Sequence, residues 1–274
     1  MPTTFQKPDP ATRRERFAWC MYDFANSGYT TVILTAIFNA YFVGVVAADS
    51  GNGHATLLWT LTIAAANGLV LISAPIVGAI ADGSGAKKRF LMATTLGCVV
   101  FTALLSFVGP GDVTLAMVLV ILATVMFASG ENLIAAFLPE ISPPETMGRL
   151  SGYGWALGYL GGLLALVLCL AYVTYAENQG MDASHYVPVS TLIVAVLFGI
   201  AALPTLFWLR ERSMATQSIK DLHVMRMGFD RLKTTLRQAR MHTDLFRFLI
   251  ALTTYYAGIH IVIVLAAVYA QEVM

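Results

Sequence analysis

Residues 113–138 read VTLAMVLVILATVMFASGENLIAAFL, an apolar run whose single charge is Glu131. As an α-helix rising 1.5 Å per residue the run is about 39 Å long, enough to cross the ~30 Å hydrocarbon core of a bilayer. Reading outward from it, comparable stretches predict membrane helices at 18–47, 56–80, 90–108, 113–138, 150–176, 188–209 and 246–272. The composition agrees: 57% of residues are hydrophobic and 12% charged, against about 25% charged in soluble domains. The fold class is therefore all-α and integral to a membrane.

The basic residues set the orientation. With sides alternated along the seven stretches, all 17 Lys and Arg fall on one side. Lys7, Arg13, Arg14 and Arg16 precede the first stretch, Lys87, Lys88 and Arg89 follow the second, and Arg149 follows the fourth. The remainder, from Arg210 to Arg247, lie between the sixth and the inner edge of the seventh. The other breaks carry Asp49, Asp112, Glu177, Asp182 and Glu272 instead. Basic side chains flanking membrane helices are retained in the cytoplasm, so the N-terminus is expected inside and the C-terminus outside. The net charge of +1 hides this asymmetry and gives no reason to expect nucleic-acid binding.

The outer breaks are short, which places successive helices antiparallel. Gly109-Pro110-Gly111-Asp112 reads as a tight turn. Within the long polar segment 210–245, Leu222, Met225, Phe229, Leu232, Leu236 and Ala239 recur at spacings of three and four. They predict an amphipathic helix with a basic face, lying along the inner membrane surface or solvated in the cytoplasm. Cys20, Cys98 and Cys169 have neither metal-site nor redox spacing and read as buried apolar residues. No cleavable signal is expected, because residues 1–16 are polar and the first apolar run is too long for a signal core. No cofactor or metal ligand set is read.

Few residues carry chemistry. Glu131 lies about two turns inside its helix beside Asn132. A carboxyl group at that depth faces water, a cation or a partner, and is a candidate proton carrier; the alternative is a structural carboxyl group hydrogen-bonded to a neighbouring helix. Asp23 and Asn26 share one face of the first helix with Thr30 and Ile33, at a depth similar to that of Glu131, so Asp23 and Glu131 are expected to meet across a cavity. The alternative for Asp23 is a charge complementing the helix dipole. The seventh helix carries Thr253, Tyr256 and His260 on one face, and Tyr256 and His260 join the pathway candidates. Asn67 and Pro75 in the second helix read as a polar packing contact and a kink. Gly154, Gly158 and Gly162 form a stripe four residues apart that lets two helix backbones approach closely. With no preceding strand, Gly152 and Gly154 do not make a dinucleotide loop.

The stretch Trp19-Cys-Met-Tyr-Asp-Phe-Ala-Asn-Ser-Gly-Tyr-Thr-Thr-Val-Ile-Leu-Thr-Ala-Ile-Phe38 resembles the opening signature of one branch of the major facilitator superfamily, the autophagy-related vacuole effluxers and their bacterial relatives. Asn132 to Ser142 resembles the branch's fourth-helix exit, and Ser151 to Gly162 its fifth-helix entry. Gly78, Asp82, Gly85, Lys87 and Lys88 resemble the superfamily's cytoplasmic loop motif, with Gly83 where a basic residue is usual. The resemblance implies that this loop helps latch the two halves together, and a carboxylate at Asp82 suits a helix N-terminus. Relatives often carry an Asp where this chain has Ala257, before Gly258, so no coupling role is transferred there. The glycine run only partly resembles the antiporter motif, and antiport is not implied.

The family fold has about twelve helices in two six-helix halves, each built from inverted three-helix repeats. By resemblance, residues 1–209 form the N-terminal six-helix half (3+3 inverted repeats), 210–245 a cytoplasmic linker, and 246–274 a seventh helix opening a second half. The chain is then incomplete relative to twelve helices; a truncated product, a fragment and half of a split transporter all fit. The expected function is a secondary active transporter, or the N-terminal portion of one. It would move a small organic solute, amino acids by analogy, on an ion gradient across the inner or plasma membrane. The expected partners are the lipid bilayer, the solute, and a second half or a second copy. The alternative is a non-transporting membrane scaffold or a half-transporter subunit. A seven-helix receptor is disfavoured by the internal N-terminus. An intramembrane aspartyl protease is disfavoured because Asp23 and Asp112 fall at opposite membrane faces, whereas such a pair must share a proton.

Overall fold

The computed structural model describes residues 11–51, 53–212, 233–234, 237–238 and 240–273. The side chains of 79–80, 82–84, 260 and 263–273 lie outside the description, as do residues 213–232, where most of the expected amphipathic helix falls. Among the described residues every regular element is a helix. The helices are α1 (Arg13–Gly28), α2 (Phe38–Tyr41), α3 (His54–Ser84), α4 (Lys87–Leu104), α5 (Val113–Ala135), α6 (Leu138–Ile141), α7 (Pro144–Asn178), α8 (Ala183–Trp208) and α9 (Thr243–Val273). Spans Arg13–Val46, His54–Gly78, Lys87–Phe107, Val113–Ile141, Pro144–Asn178 and Ala183–Trp208 are long and apolar enough to cross a membrane. The chain is a multi-pass membrane protein. The seventh expected stretch is likewise one helix, α9.

The first span changes pitch midway. Tyr29–Ala36 and Phe42–Val46 are π-helical, on either side of α2. The hydroxyls of Ser27, Thr30, Thr31 and Thr35 donate back to the Asp23, Ser27, Ser27 and Thr30 carbonyls, at 2.6, 3.0, 2.8 and 2.8 Å. Such back-bonding competes with the backbone ladder and bends helices. The wider turn rotates the residues after Tyr29, so Ile33 does not share the face of Asp23 but is fully buried in the core.

This span is the hub of the bundle. Trp19 Nε1 donates to the Ile134 carbonyl on α5 at 2.8 Å. Tyr22 and Thr95 hydroxyls pair at 3.1 Å, and those of Tyr29 and Thr124 at 2.9 Å. Thr205 Oγ1 on α8 donates to the Ala18 carbonyl at 2.6 Å. In lipid, where apolar burial between helices gains little, interhelical hydrogen bonds and close packing hold a bundle, at about 0.6 kcal/mol per bond and up to ~1.7. Trp19, Tyr22, Tyr29, Phe38, Phe42, Trp59, Phe137 and Phe198 fill the space between.

The packing of α7 on α1 depends on glycine. A Cβ at Gly154 would stand 2.6 Å from Asp23 Oδ2, at Gly158 3.0 Å from Ser27 Oγ, and at Gly162 2.7 Å from Thr31 Oγ1. At Gly161 it would run into the Phe24 backbone carbonyl. Asn67 on α3 is exposed, and Pro75 sits within one continuous helix.

The ends of the bundle differ in chemistry. At one, Gly111 N–H donates to the Val46 carbonyl at 3.0 Å and Tyr41 to the Val108 carbonyl at 3.1 Å. There Gly111 adopts φ 86°, and Gly109 N–H donates to Asp112 Oδ2 at 2.9 Å, the expected tight turn. Asp182, just before α8, pairs with His185 Nδ1 at 2.7 Å, and the imidazole holds its carboxyl below the usual range. At the other end stand Arg13, Lys87, Arg149 and Arg212.

Candidate functional site

Between α1, α5 and α7 lies a cavity of about 460 Å³. Asp23, Asn26, Ser27, Thr30 and Thr31 line it from the first span, Glu131 from α5, and Trp155, Tyr159 and Leu163 from α7. Glu131 is exposed to it, and Asn26 Nδ2 donates to Glu131 Oε1 at 3.2 Å. Two carboxyl groups, an amide and three aliphatic hydroxyls thus converge between apolar helices, with no Lys, Arg or His among the lining residues. Trp155 and Tyr159 are 63% and 72% exposed, edge to face with ring centroids 5.9 Å apart, and form one rim. A site of this kind takes up a proton, a cation or a solute bearing cationic or hydrogen-bonding groups.

Of these lining residues, Glu131, Asp23 and Asn26 are legible in the sequence, whereas Ser27, Thr31, Trp155 and Tyr159 emerge only from the fold. On α7 the sequence shows a glycine stripe, and those glycines also set the depth of the cavity: Gly158 and Gly162 form part of its wall. The signal available was the Trp155–Tyr159 pair, four apart beside that stripe.

Asn132 does not join Glu131. It lines a separate cavity of about 60 Å³ with Gly78, Lys87 and Ser129. Tyr256 lies exposed on α9 and is not among the residues that line the larger cavity, and the His260 side chain falls outside the described residues. The Asp82 side chain does too; Gly85 closes α3 in the left-handed region at φ 58°.

The basic end holds a cluster that the sequence pattern does not announce. Lys87 Nζ pairs with Glu140 Oε1 at 2.9 Å, and Glu140 Oε2 accepts from the Arg212 amide at 3.0 Å. Arg212 Nη2 reaches Glu15 Oε1 at 2.8 Å. Glu211 accepts from the amides of Lys87 and Lys88 at 2.7 and 3.2 Å, so the free amides at the start of α4 are capped from the chain beyond α8. Lys88 Nζ donates to the Leu209 carbonyl at 2.6 Å. These pairs bring the starts of α1 and α4, the α6 turn and the exit of α8 to one end of the bundle.

The family model described as "Vacuole effluxer Atg22 like" matches residues 54–274. The chain belongs to this family. A protein of Bacillus subtilis (strain 168), the uncharacterized MFS-type transporter YxiO, is 30% identical over 266 residues, 95% of this chain and 61% of that protein. The chain therefore spans about three-fifths of the length of that relative. The six apolar helices and this relative agree with a major facilitator fold, incomplete relative to twelve helices. Within this vacuole effluxer-like chain the profile match starts at His54, and the cavity wall supplied by the first span precedes it.

Proposed function

We propose that the protein is the N-terminal portion of a secondary active transporter, and that the cavity between α1, α5 and α7 is one wall of its solute pathway. The observation that carries the reading is the pairing of Asn26 with Glu131, beside Asp23, in a polar cavity between three of the six membrane spans. Family membership and the transporter name of the Bacillus relative support it. Glu131 is the proposed coupling group, exchanging a proton or cation as solute passes. Residues 1–209 form the first half, 210–245 a linker, and 246–274 begin a second half. A second half, or a second copy, supplies the facing wall. The basic end faces the cytoplasm of an inner or plasma membrane, and the solute is small and organic, with amino acids the first class to assay.

The test uses sealed membrane vesicles carrying the protein under an imposed proton or sodium gradient, with a panel of labelled amino acids. Glu131→Gln is expected to abolish gradient-driven movement while insertion and protein level stay unchanged. Undiminished movement in that variant removes Glu131 from the mechanism. No movement of any panel member under either gradient, from a protein that is stably inserted, overturns amino acids as the solute class.

A further inference from the structure

A second groove, of about 490 Å³, opens between α1 and α7 at the basic end and is separate from the solute cavity. Its mouth carries Arg13, Arg16 and Arg149. No carboxylate lines it, and among the described residues none of the three arginines forms an ion pair. Glu15, the nearest acid in sequence to Arg13 and Arg16, is taken by Arg212, and Glu145, four residues before Arg149, does not line the groove. Ser142 and Thr146, whose hydroxyls pair at 2.9 Å, stand beside the arginines. Away from the mouth the lining becomes apolar, with Phe17, Leu157 and Leu160.

We propose that this groove binds an anionic phospholipid, its phosphate held by the arginines and one acyl chain lying along α7. Charge complementarity argues for the head: guanidinium forks suit phosphate, and uncompensated arginines at a membrane edge attract acidic lipid. Length argues for the tail. Arg149, Tyr153, Leu157 and Leu160 succeed one another at spacings of four, four and three on one face, passing from cation through phenol to aliphatic. Eleven residues of helix cover about 16 Å, and one leaflet of a ~30 Å core is about 15 Å. A soluble phosphate compound would use the mouth and leave the apolar length without a function. The site stands whether or not Glu131 couples transport.

The test is native mass spectrometry of the detergent-purified protein titrated with dioleoyl phosphatidylglycerol, dioleoyl phosphatidylcholine or inorganic phosphate. Phosphatidylglycerol is expected to be retained in preference to the other two. Arg149→Gln is expected to weaken it about fivefold, and the combined Arg13→Gln, Arg16→Gln, Arg149→Gln variant about a hundredfold. Arg89→Gln, at the same end but outside the groove, leaves retention unchanged. Leu157→Ser weakens phosphatidylglycerol further than phosphate. Equal retention of the two lipids, equal loss in Arg89→Gln, displacement of the lipid by equimolar phosphate, or an Arg149→Gln protein that binds as before overturns the proposal. If the combined variant does not purify as a folded species, Arg149→Gln alone decides.

Discussion

Glu131 and Asn132 are neighbours in the chain and line different cavities, because a helix turns about 100° per residue. Glu131 is legible as a site candidate because a carboxyl group in an apolar run is costly wherever it is not served. Asn132 is paired with it by adjacency alone, which helical geometry does not honour. Glycine shows a similar limit. The four-residue spacing exposes Gly154, Gly158 and Gly162, but the tightest approach is at Gly161, one position outside the stripe. There a methyl group would meet backbone rather than a side chain that can swing away. Gly161→Ala is therefore expected to destabilise the α1–α7 pair by about 1–3 kcal/mol, the usual penalty for overpacking, and to lower the melting temperature in detergent. Gly152→Ala, where a Cβ meets nothing within 4 Å, is the control and should stay close to the wild-type value. Equal melting of both variants would mean that α1 and α7 do not pack this closely.

At the scale of the helices, the apolar runs mark every membrane element, while their ends and pitch have other causes. Apolarity alone begins the first span at residue 18, as one regular helix. It starts at Arg13, because Thr12 and Glu15 form a capping box, with Thr12 N–H donating to Glu15 Oε2 at 2.8 Å. That signal, Thr with Glu three residues later, is present in the sequence and is independent of hydropathy. The π-helical turns are not legible there, since they arise from hydroxyl back-bonding and from packing against α7. Glu15 also illustrates how a polar end is held together. It and Arg212 lie 197 residues apart in sequence and are both largely shielded from solvent. Arg212→Ala leaves the Glu15 carboxylate without its counter-charge, and about 3 kcal/mol of stability should be lost. Combining Glu15→Gln with Arg212→Met removes both charges and should recover most of it. A double-mutant cycle on thermal unfolding in detergent checks this, and losses that simply add would show that the two side chains do not interact.

For the molecule as a whole, the charge pattern and the contacts converge from independent directions. Alternating the apolar stretches places every Lys and Arg on one side. The ion-pair cluster brings Glu15, Lys87, Glu140 and Arg212 together at one end, and the Val46–Gly111 and Tyr41–Val108 hydrogen bonds tie the other. Periodicity does not supply those cross-links, because they join residues far apart in the chain. Which compartment each end meets rests on the retention of basic residues in the cytoplasm, and it can be measured. The three native cysteines are buried, so background labelling should be low. Gly148→Cys at the basic end and Gln179→Cys at the opposite end both occupy exposed positions. In intact cells a membrane-impermeant maleimide is expected to label Gln179→Cys and to reach Gly148→Cys only after the membrane is opened. The reverse pattern would turn the bundle over, placing the arginine groove in the outer leaflet, where the anionic lipid proposed for it is not the expected occupant.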